Sequence, residues 1–247
     1  MPQEVAGKPQ DLVMTLFGAF VHPGDRLVWS GGLVTLLGEL GFSSGAARVA
    51  LTRLAARDML GRAKNGRHVY YTITPRSAAV LHEGDGRIFS LGRASVPEHD
   101  QWTVLWHTIP DARRLERARL TRRLRFLGFG PVQDGTWIAP HDRAPEVTAL
   151  LDELGVREHA GLMLARPAAS LDFSAFITRV WDLEELAERY RAFVHEYGRY
   201  QLDSVQDHLD DRRALLLRTR LIHAFRQFPF LDPELPEHVV PGPPHRP

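Results

Sequence analysis

The pattern of hydrophobic and polar positions divides the chain into three segments, at about 10–80, 100–168 and 170–236. In the first segment, apolar residues recur at helical spacing in three consecutive runs. Ser30 precedes the second run as a predicted N-cap, and Gly41 follows it as a predicted C′ residue. The pattern therefore predicts helices at residues 12–21, 33–40 and 43–58.

A β-hairpin is predicted to follow the third helix. The dipeptide Asn65-Gly66 is a strong signal for a two-residue hairpin turn, and its strands are predicted at 60–64 and 68–73. The short turn at Gly41 lets the third helix project across the second, as a helix-turn-helix requires. The first segment is therefore predicted to be a winged helix-turn-helix.

Strand and helix patterns alternate in the second segment, in the order β-α-β-β-α-β. The central hairpin is predicted to turn at Asp134-Gly135. The predicted strands are 102–109, the two halves of 128–140, and 161–165, and the predicted helices are 113–127 and 146–154. This order is that of a ferredoxin-like domain.

The third segment is predicted to be helical. Asp182 and Glu185 form a pair resembling a capping box, and apolar and aromatic residues recur behind them at helical spacing. A second helix is predicted over 204–228, and the Pro-rich residues 241–247 are predicted to be disordered. The predicted fold class is therefore α+β, with a winged helix-turn-helix, a ferredoxin-like domain and a C-terminal helical domain.

Composition and charge narrow the classes of function. The chain is 44% hydrophobic without a long apolar run, and its first ten residues lack a secretion signal, so a cytoplasmic globular protein is predicted. The absence of cysteine excludes disulfides and thiolate metal sites. Residues 43–76 hold seven Lys/Arg against one Asp, whereas 172–211 hold four Arg against ten carboxylates. Either the basic segment, 43–76, binds a polyanion, or the basic and the acidic segments are both solvated faces.

The third helix and the hairpin carry the candidate DNA-binding residues. Helical geometry centres the buried side of this helix on Ala47, which leaves an opposite face that is small or cationic and has no carboxylate. Such a face allows close approach to base edges, and the helix N-terminus can bind a phosphate. The candidate DNA-binding residues are Ser43, Ser44, Arg48, Val49, Thr52, Arg53, Arg57, Lys64, Asn65, Arg67 and His68. The alternative is a small helical bundle with a solvated hairpin.

A second basic run lies in the helix predicted at 113–127, where seven arginines accompany the single acid Glu116. This run is either a solvated face or a surface that contacts phosphates or an acidic ligand. The sequence contains no His-Glu-x-x-His, P-loop, nucleophile-elbow or dinucleotide motif. No metal, cofactor or enzymatic activity is therefore predicted.

The ferredoxin-like order leaves a metal-dependent nuclease as the alternative function. Small nucleases of CRISPR spacer acquisition resemble the second segment in outline, and they hold a metal with an aspartate on their first strand. The corresponding residues 105–108 include no carboxylate, and Asp111 is predicted to be a helix N-cap. Magnesium-dependent cleavage of DNA would distinguish the two functions.

Several short strings carry a resemblance to one family. In the first segment they are Leu16-Phe17-Gly18, Trp29, residues 47–54, Gly66-Arg67 and Tyr70-Tyr71. Further on they are residues 125–130 (Arg-Phe-Leu-Gly-Phe-Gly), Trp137, Leu221-Ile222-His223, Arg226 and residues 232–236 (Asp-Pro-Glu-Leu-Pro). Through them the chain resembles the PaaX-type repressors of phenylacetate degradation, over almost its whole length and in the same three-part order.

The resemblance implies a homodimeric transcriptional repressor that binds a palindromic operator in double-stranded DNA and controls a catabolic operon. It also implies release from DNA by an aryl-acyl coenzyme A thioester. Because coenzyme A carries several phosphates, its site is expected to place arginines beside an apolar slot. Arg122 and Arg125 are the predicted phosphate contacts, and Trp137 is predicted to lie near the acyl group.

Overall fold

The computed structural model describes residues 7–24, 26–91, 101–168, 172–201, 209–236 and 239–240. The protein is α+β, with two antiparallel sheets. Its chain divides into an N-terminal unit (Met1–Ile88 with Arg199–Arg226) and a central unit (Phe89–Gly198 with Gln227–Pro247). The tail at 241–247, which is predicted to be disordered, lies outside the described residues. So do residues 204–208, the first residues of the helix predicted over 204–228.

Helices and strands follow the predicted order, with additions. The helices are α1 (Pro9–Phe20), α2 (Ser30–Glu39), α3 (Ser44–Ala56), α4 (Pro75–Ser90), α5 (Arg114–Phe126), α6 (Ala144–Leu154), α7 (Phe173–Val180), α8 (Leu183–Tyr197), α9 (Asp211–Phe225) and α10 (Phe228–Leu231). The strands are β1 (Val28–Trp29), β2 (Leu60–Asn65), β3 (His68–Ile73), β4 (Trp102–His107), β5 (Gly130–Gln133), β6 (Thr136–Pro140) and β7 (Ala160–Ala165). Sequence reasoning did not specify β1, α4 or α7. Among the described residues, no helix is long and apolar enough to span a bilayer.

The turn between α2 and α3 is a Schellman motif. The Gly41 N–H donates to the Gly38 carbonyl at 3.1 Å, and the Phe42 N–H donates to the Leu37 carbonyl at 3.0 Å. Gly41 has a φ of +102°, which glycine adopts without the steric cost of a Cβ atom. The predicted C′ role of Gly41 is therefore confirmed.

The starts of α2 and α3 differ in how they are capped. Ser43 is the N-cap of α3, because its hydroxyl accepts a hydrogen bond from the Ala46 N–H at 3.2 Å. The predicted N-cap role of Ser30 is wrong by one position. Trp29 is the N-cap of α2 and has no side-chain cap bond, because the chain remains extended in β1 until that residue.

The turn between β2 and β3 lies one residue further along the chain than predicted. Asn65 is paired with His68, so the two turn residues are Gly66-Arg67 and not Asn65-Gly66. Gly66 has a φ of +58° at the first central position, where positive φ favours glycine. β1 pairs with the other edge of β3, which gives the order β1-β3-β2.

The core of the N-terminal unit lies between α1, α2 and α3. Its buried residues include Leu12, Phe17, Leu33, Leu37, Leu51 and Leu54. The predicted inner side of α3 is confirmed, since Ala47, Ala50, Leu51 and Leu54 are all at most 5% exposed.

Helix α9 also belongs to this unit, where it packs against α1. Thr15 of α1 is hydrogen bonded to His223 Nδ1 at 2.9 Å, and Arg226 Nη1 donates to the Thr15 hydroxyl at 2.8 Å. Burial lowers the pKa of Arg226, although Asp11 and Asp85 oppose the effect. The division of the chain into three domains at 10–80, 100–168 and 170–236 stays a prediction.

In the central unit, the sheet has the order β5-β6-β4-β7. The predicted turn at Asp134-Gly135 is confirmed by the pairing of Gln133 with Thr136. One face of the sheet packs against α5 and α6, through Leu105, Trp137, Leu120, Leu124, Val147 and Leu150. The other face packs against α7 and the chain end, through Trp102, Ile138, Ile177, Leu235 and Val239.

Polar and aromatic contacts hold α8, α10 and the residues that follow α10 together within this unit. Tyr190 of α8 stacks on Phe228, with ring centroids 4.1 Å apart, and its hydroxyl donates to the Asp232 carboxylate at 2.8 Å. The buried Glu234 carboxylate pairs with Arg143 at 3.2 Å. The string 232–236 is therefore held in place by buried charge and hydrogen bonding.

Replacement of Ser43 by alanine tests the capping assignment. Ser43→Ala is expected to lower the free energy of unfolding by about 1 kcal/mol, because the Ala46 N–H loses its acceptor. Ser44→Ala is the matched control, since Ser44 is exposed inside the first turn and is not the cap. Urea titrations followed by circular dichroism measure both. Equal loss of stability in the two variants would contradict the cap.

Candidate nucleic-acid interface and ligand pocket

The outer face of α3 is exposed. Arg48, Thr52 and Arg53 are exposed, and Val49 is 49% exposed. Among the described residues, none forms an ion pair with Arg48, Arg53 or Arg57. The face therefore presents uncompensated guanidinium groups beside small side chains.

The N-terminus of α3 lies at one end of this face. The Ser43 hydroxyl satisfies the Ala46 N–H, whereas no described residue accepts from the backbone N–H groups of Ser44 and Gly45. Ser43, Ser44 and Gly45 are exposed. Free N–H groups at a helix N-terminus, together with the helix dipole, favour an anion such as phosphate.

The hairpin tip is the second exposed basic element of the N-terminal unit. Lys64, Asn65, Arg67 and His68 are all exposed. The His68 ring lies edge-on to Trp29, with centroids 5.8 Å apart. Trp29 is 49% exposed, so an aromatic surface accompanies the tip. Sequence reasoning did not include Trp29 among the DNA-binding candidates, because its pairing with β3 is a tertiary contact.

The arginines around α5 have different partners. Arg113 donates to the Gly155 carbonyl at 2.6 Å and to the Leu154 carbonyl at 3.3 Å, at the end of α6. Arg117 pairs with the Asp111 carboxylate at 3.0 Å. The predicted N-cap role of Asp111 is wrong, because Asp111 lies inside a short 3₁₀ turn whose N-cap is Pro110.

A pocket of about 790 Å³ lies against α5 in the central unit. The α5 residues that line it are Arg114, Arg117, Ala118, Thr121, Arg122 and Arg125. These positions recur every three or four residues and so form one face of the helix. The other lining residues are His107, Asp134, Gly135, Trp137 and Phe230. The three predicted ligand-binding residues, Arg122, Arg125 and Trp137, thus line the same pocket.

Two ring nitrogens of the pocket residues are buried without a hydrogen-bond partner among the described residues. They are Trp137 Nε1 and His107 Nδ1. Trp137 as a whole is only 6% exposed. A buried polar group that lacks a partner costs about 1–3 kcal/mol.

Burial lowers the pKa of the His107 imidazole. The Asp134 carboxylate opposes this effect, and the Arg117 guanidinium adds to it. The His107 ring is therefore neutral at pH 7, and one of its nitrogens donates while the other accepts.

Sequence reasoning predicted three of the eleven residues that line the pocket and missed the other eight, among them Arg114, Arg117, His107 and Phe230. Arg114 and Arg117 could have been found, because they share the helical spacing of Arg122 and Arg125. His107 and Phe230 had no such signal. Phe230 is brought to the pocket by α10, far along the chain, where its ring lies 4.8 Å from that of Phe126. In the described part of the chain, no three His, Asp or Glu side chains cluster as a metal site would require.

Family models match the chain along most of its length. Residues 8–77 match the PaaX-like protein model, 95–176 match the PaaX protein central Cas2-like domain, and 181–243 match the PaaX-like protein C-terminal domain. The chain belongs to the PaaX family. The resemblance carried by the short sequence strings is therefore confirmed.

One relative and one solved structure are also similar to this chain. The transcriptional repressor PaaX of Escherichia coli (strain K12) is 29% identical over 238 residues, which cover 94% of this chain and 73% of that protein. An uncharacterised protein from Mycobacterium tuberculosis has a similar structure, with a TM-score of 0.55 and 20% identity. That match covers 95% of this chain and 87% of the other, and it concerns the fold alone.

Proposed function

We propose that this PaaX-family protein is a DNA-binding transcriptional repressor. The observation that carries the proposal is the exposed outer face of α3, which bears Arg48 and Arg53 without a neutralising carboxylate. The name of the Escherichia coli relative supports the same function. A basic, acid-free helix face is the surface expected of a protein that neutralises phosphates and contacts base edges.

The N-terminal unit is proposed to act as a winged helix-turn-helix. The Schellman turn at Gly41 separates α2 from α3, which is the proposed recognition helix. The β2–β3 hairpin is the proposed wing. Arg48 and Arg53 are assigned to base contacts, and the hairpin tip is assigned to the phosphate backbone.

Arginine and lysine variants separate these two kinds of contact. Arg53→Ala is expected to weaken operator binding by roughly 1–3 kcal/mol and to relax specificity at one base pair, if Arg53 pairs with a guanine. Lys64→Ala is expected to weaken binding to all sequences alike and to reduce the salt slope by about one. Gel-shift titrations at several salt concentrations, with operator and unrelated DNA, measure both effects.

Arg191→Ala is the matched control for charge, because Arg191 is an exposed arginine on α8 of the central unit. It is expected to leave operator affinity and specificity unchanged. Retention of full operator affinity by a folded Arg48→Ala/Arg53→Ala double variant would overturn the recognition-helix assignment.

The active form is proposed to be a homodimer on a palindromic operator. One recognition helix covers only a few base pairs, and isologous pairing of two chains matches two half-sites about one DNA turn apart. Multi-angle light scattering at micromolar concentration is expected to give twice the chain mass of 27.9 kDa. A single-chain mass, both free and in complex with operator DNA, would contradict the dimer.

A ferredoxin-like arrangement is proposed for the central unit. The strand order β5-β6-β4-β7, with α5 and α6 packed on one face, supports it. The Cas2-like description of the family model that matches residues 95–176 supports the same proposal. The nuclease alternative gains no support, since residues 105–108 contain no carboxylate and Asp111 is paired with Arg117. We therefore assign no enzymatic activity.

The effector is proposed to be an acyl coenzyme A thioester that binds in the pocket against α5. A volume of about 790 Å³ falls in the range of small-molecule sites. Arg122 and Arg125 are exposed and serve the phosphates, while Trp137 and Phe230 supply apolar surface. Such a ligand releases the operator only if it binds more tightly to a conformation that does not bind DNA.

Chain continuity offers a route from this pocket to the DNA-binding helices. Phe230 lies on α10, which begins three residues after the end of α9. α9 packs against α1 through the hydrogen bonds of His223 and Arg226 to Thr15. A ligand that displaces Phe230 would thus move α10 and, through the short connection, shift α9, which packs against α1.

Calorimetry with a panel of acyl-CoA thioesters and free acids tests the effector. Phenylacetyl-CoA is expected to bind and to lower operator affinity in gel shifts. Arg122→Ala is expected to weaken thioester binding, because a charged hydrogen bond to phosphate is lost. Arg119→Ala is the matched control, since Arg119 is exposed on α5 but does not line the pocket. Tight binding of a free acid without any thioester response would overturn the coenzyme A assignment.

A further inference from the structure

Trp29 is a large aromatic residue on the outer face of the β1-β3-β2 sheet. It lies opposite Tyr70 in the pairing of β1 with β3, and its neighbour Val28 lies opposite Tyr71. Tyr71 is 6% exposed and belongs to the core of the N-terminal unit. Because successive side chains of a strand point to opposite faces, Trp29 points away from that core. Its side chain is accordingly half-exposed.

Two neighbours fix the position of the Trp29 ring. A Cβ atom added to Gly31 would lie 2.6 Å from Trp29 Cε2, so the indole rests directly on the first turn of α2. The His68 ring, which belongs to the hairpin tip, lies edge-on to the indole. A tryptophan side chain held in this way offers a large contact area at a small cost in conformational entropy. The exposed part of the ring is therefore well suited to bind a partner.

The surroundings of Trp29 favour an anionic partner. Residues 28–38 and 59–76 contain four Lys/Arg and no Asp or Glu. Glu39, at the other end of α2, is paired with Arg212 at 2.8 Å. A second copy of the chain would bring the same cationic surface against itself, which disfavours an isologous contact here. Duplex DNA has the complementary charge, and it is the proposed partner of the adjoining hairpin tip.

We propose that Trp29 contacts the sugar–phosphate backbone of duplex DNA beside the wing, with its indole ring packed against a deoxyribose. The proposal rests on the proposed DNA-binding function and adds a contact outside the recognition helix and the hairpin tip. Gly31 is the positioning residue, because a side chain there would displace the ring from α2. Backbone contacts carry no sequence information directly, so Trp29 strengthens binding to operator and unrelated DNA alike.

Substitution of Trp29 tests the contact by affinity. Trp29→Ala is expected to weaken binding of the full chain to a duplex of random sequence about three- to tenfold, the effect of returning about 30–55 Å² of apolar ring surface to water. Operator DNA is expected to be weakened by the same factor. Because the indole is uncharged, the salt slope is expected to stay unchanged, in contrast to that of Lys64→Ala. Fluorescence-anisotropy titrations at several salt concentrations measure both quantities.

The two glycines of α2 that adjoin the ring provide a matched pair of variants. Gly31→Ala is expected to weaken DNA binding as much as Trp29→Ala does, because its Cβ atom would overlap the ring. Gly32→Ala is the control, since its Cβ atom would lie 3.6 Å from Trp29 Cε3, an ordinary contact distance. The Gly31→Ala/Trp29→Ala double variant is expected to bind like Trp29→Ala alone. Equal weakening by Gly31→Ala with and without Trp29 would show that Gly31 does not act through the ring.

Acrylamide quenching of tryptophan fluorescence reports the contact directly. Trp29 lies in the N-terminal unit, whereas the other tryptophans belong to the central unit and are Trp102, Trp106, Trp137 and Trp181. A saturating random-sequence duplex is expected to reduce quenching in the unaltered protein and to leave it unchanged in Trp29→Phe. The same reduction in both proteins would overturn the proposal. Protection that increases with protein concentration in the absence of DNA would also overturn it, since it would assign Trp29 to a contact between copies.

The outcomes separate this inference from the proposed function. If the Arg48→Ala/Arg53→Ala variant loses operator binding while Trp29→Ala and Gly31→Ala bind every duplex normally, the DNA-binding function stands and the inference is wrong. If the unaltered chain binds neither operator nor random-sequence DNA, the proposed function and the inference both fail.

Discussion

Burial of one side of α3 against α1 and α2 is the packing constraint on which the proposed DNA interface depends. Ala47, Leu51 and Leu54 are at most 5% exposed, so rotation of α3 about its axis would expose apolar surface. Because a helix repeats every 3.6 residues, fixing that side also fixes the direction of Arg48 and Arg53. The Schellman turn at Gly41 and the Ser43 cap fix where the helix begins. A core contact thereby orients the basic face.

A comparable constraint builds the pocket of the central unit. The pairing of Leu105 with Trp137 places both under α5 and α6, and two residues further along β4 the same alternation brings His107 to that face. Packing of Leu120 and Leu124 onto the sheet turns the stripe from Arg114 to Arg125 toward the rim. The sheet therefore contributes Trp137 and His107 to the pocket lining, and the helix contributes exposed arginines. An apolar surface beside a cationic one suits the proposed ligand, which has an apolar end and an anionic end.

The C-terminal helices serve both compact units. α9 packs against α1 in the N-terminal unit, whereas α8 and α10 belong to the central unit. The capping box predicted from Asp182 and Glu185 forms only in part. Asp182 accepts from the Glu185 N–H at 2.9 Å, but the Glu185 carboxylate pairs with Arg189. Tyr190 and Tyr197, two of the aromatic residues that follow this cap, are buried within their own chain.

Local patterns in the sequence determined the elements whose causes are local. Helical spacing identified the inner side of α3, Gly41 marked the end of α2, and Asp134-Gly135 marked the turn of the central hairpin, since each depends on a few adjacent residues. Local reasoning also placed Ser30 and the first hairpin turn one residue from their positions, because strand pairing sets the final register. Only the tertiary structure brought His107 and Phe230 to the pocket and α9 onto α1. Those contacts join residues far apart along the chain, and they form only because distant apolar surfaces are buried together.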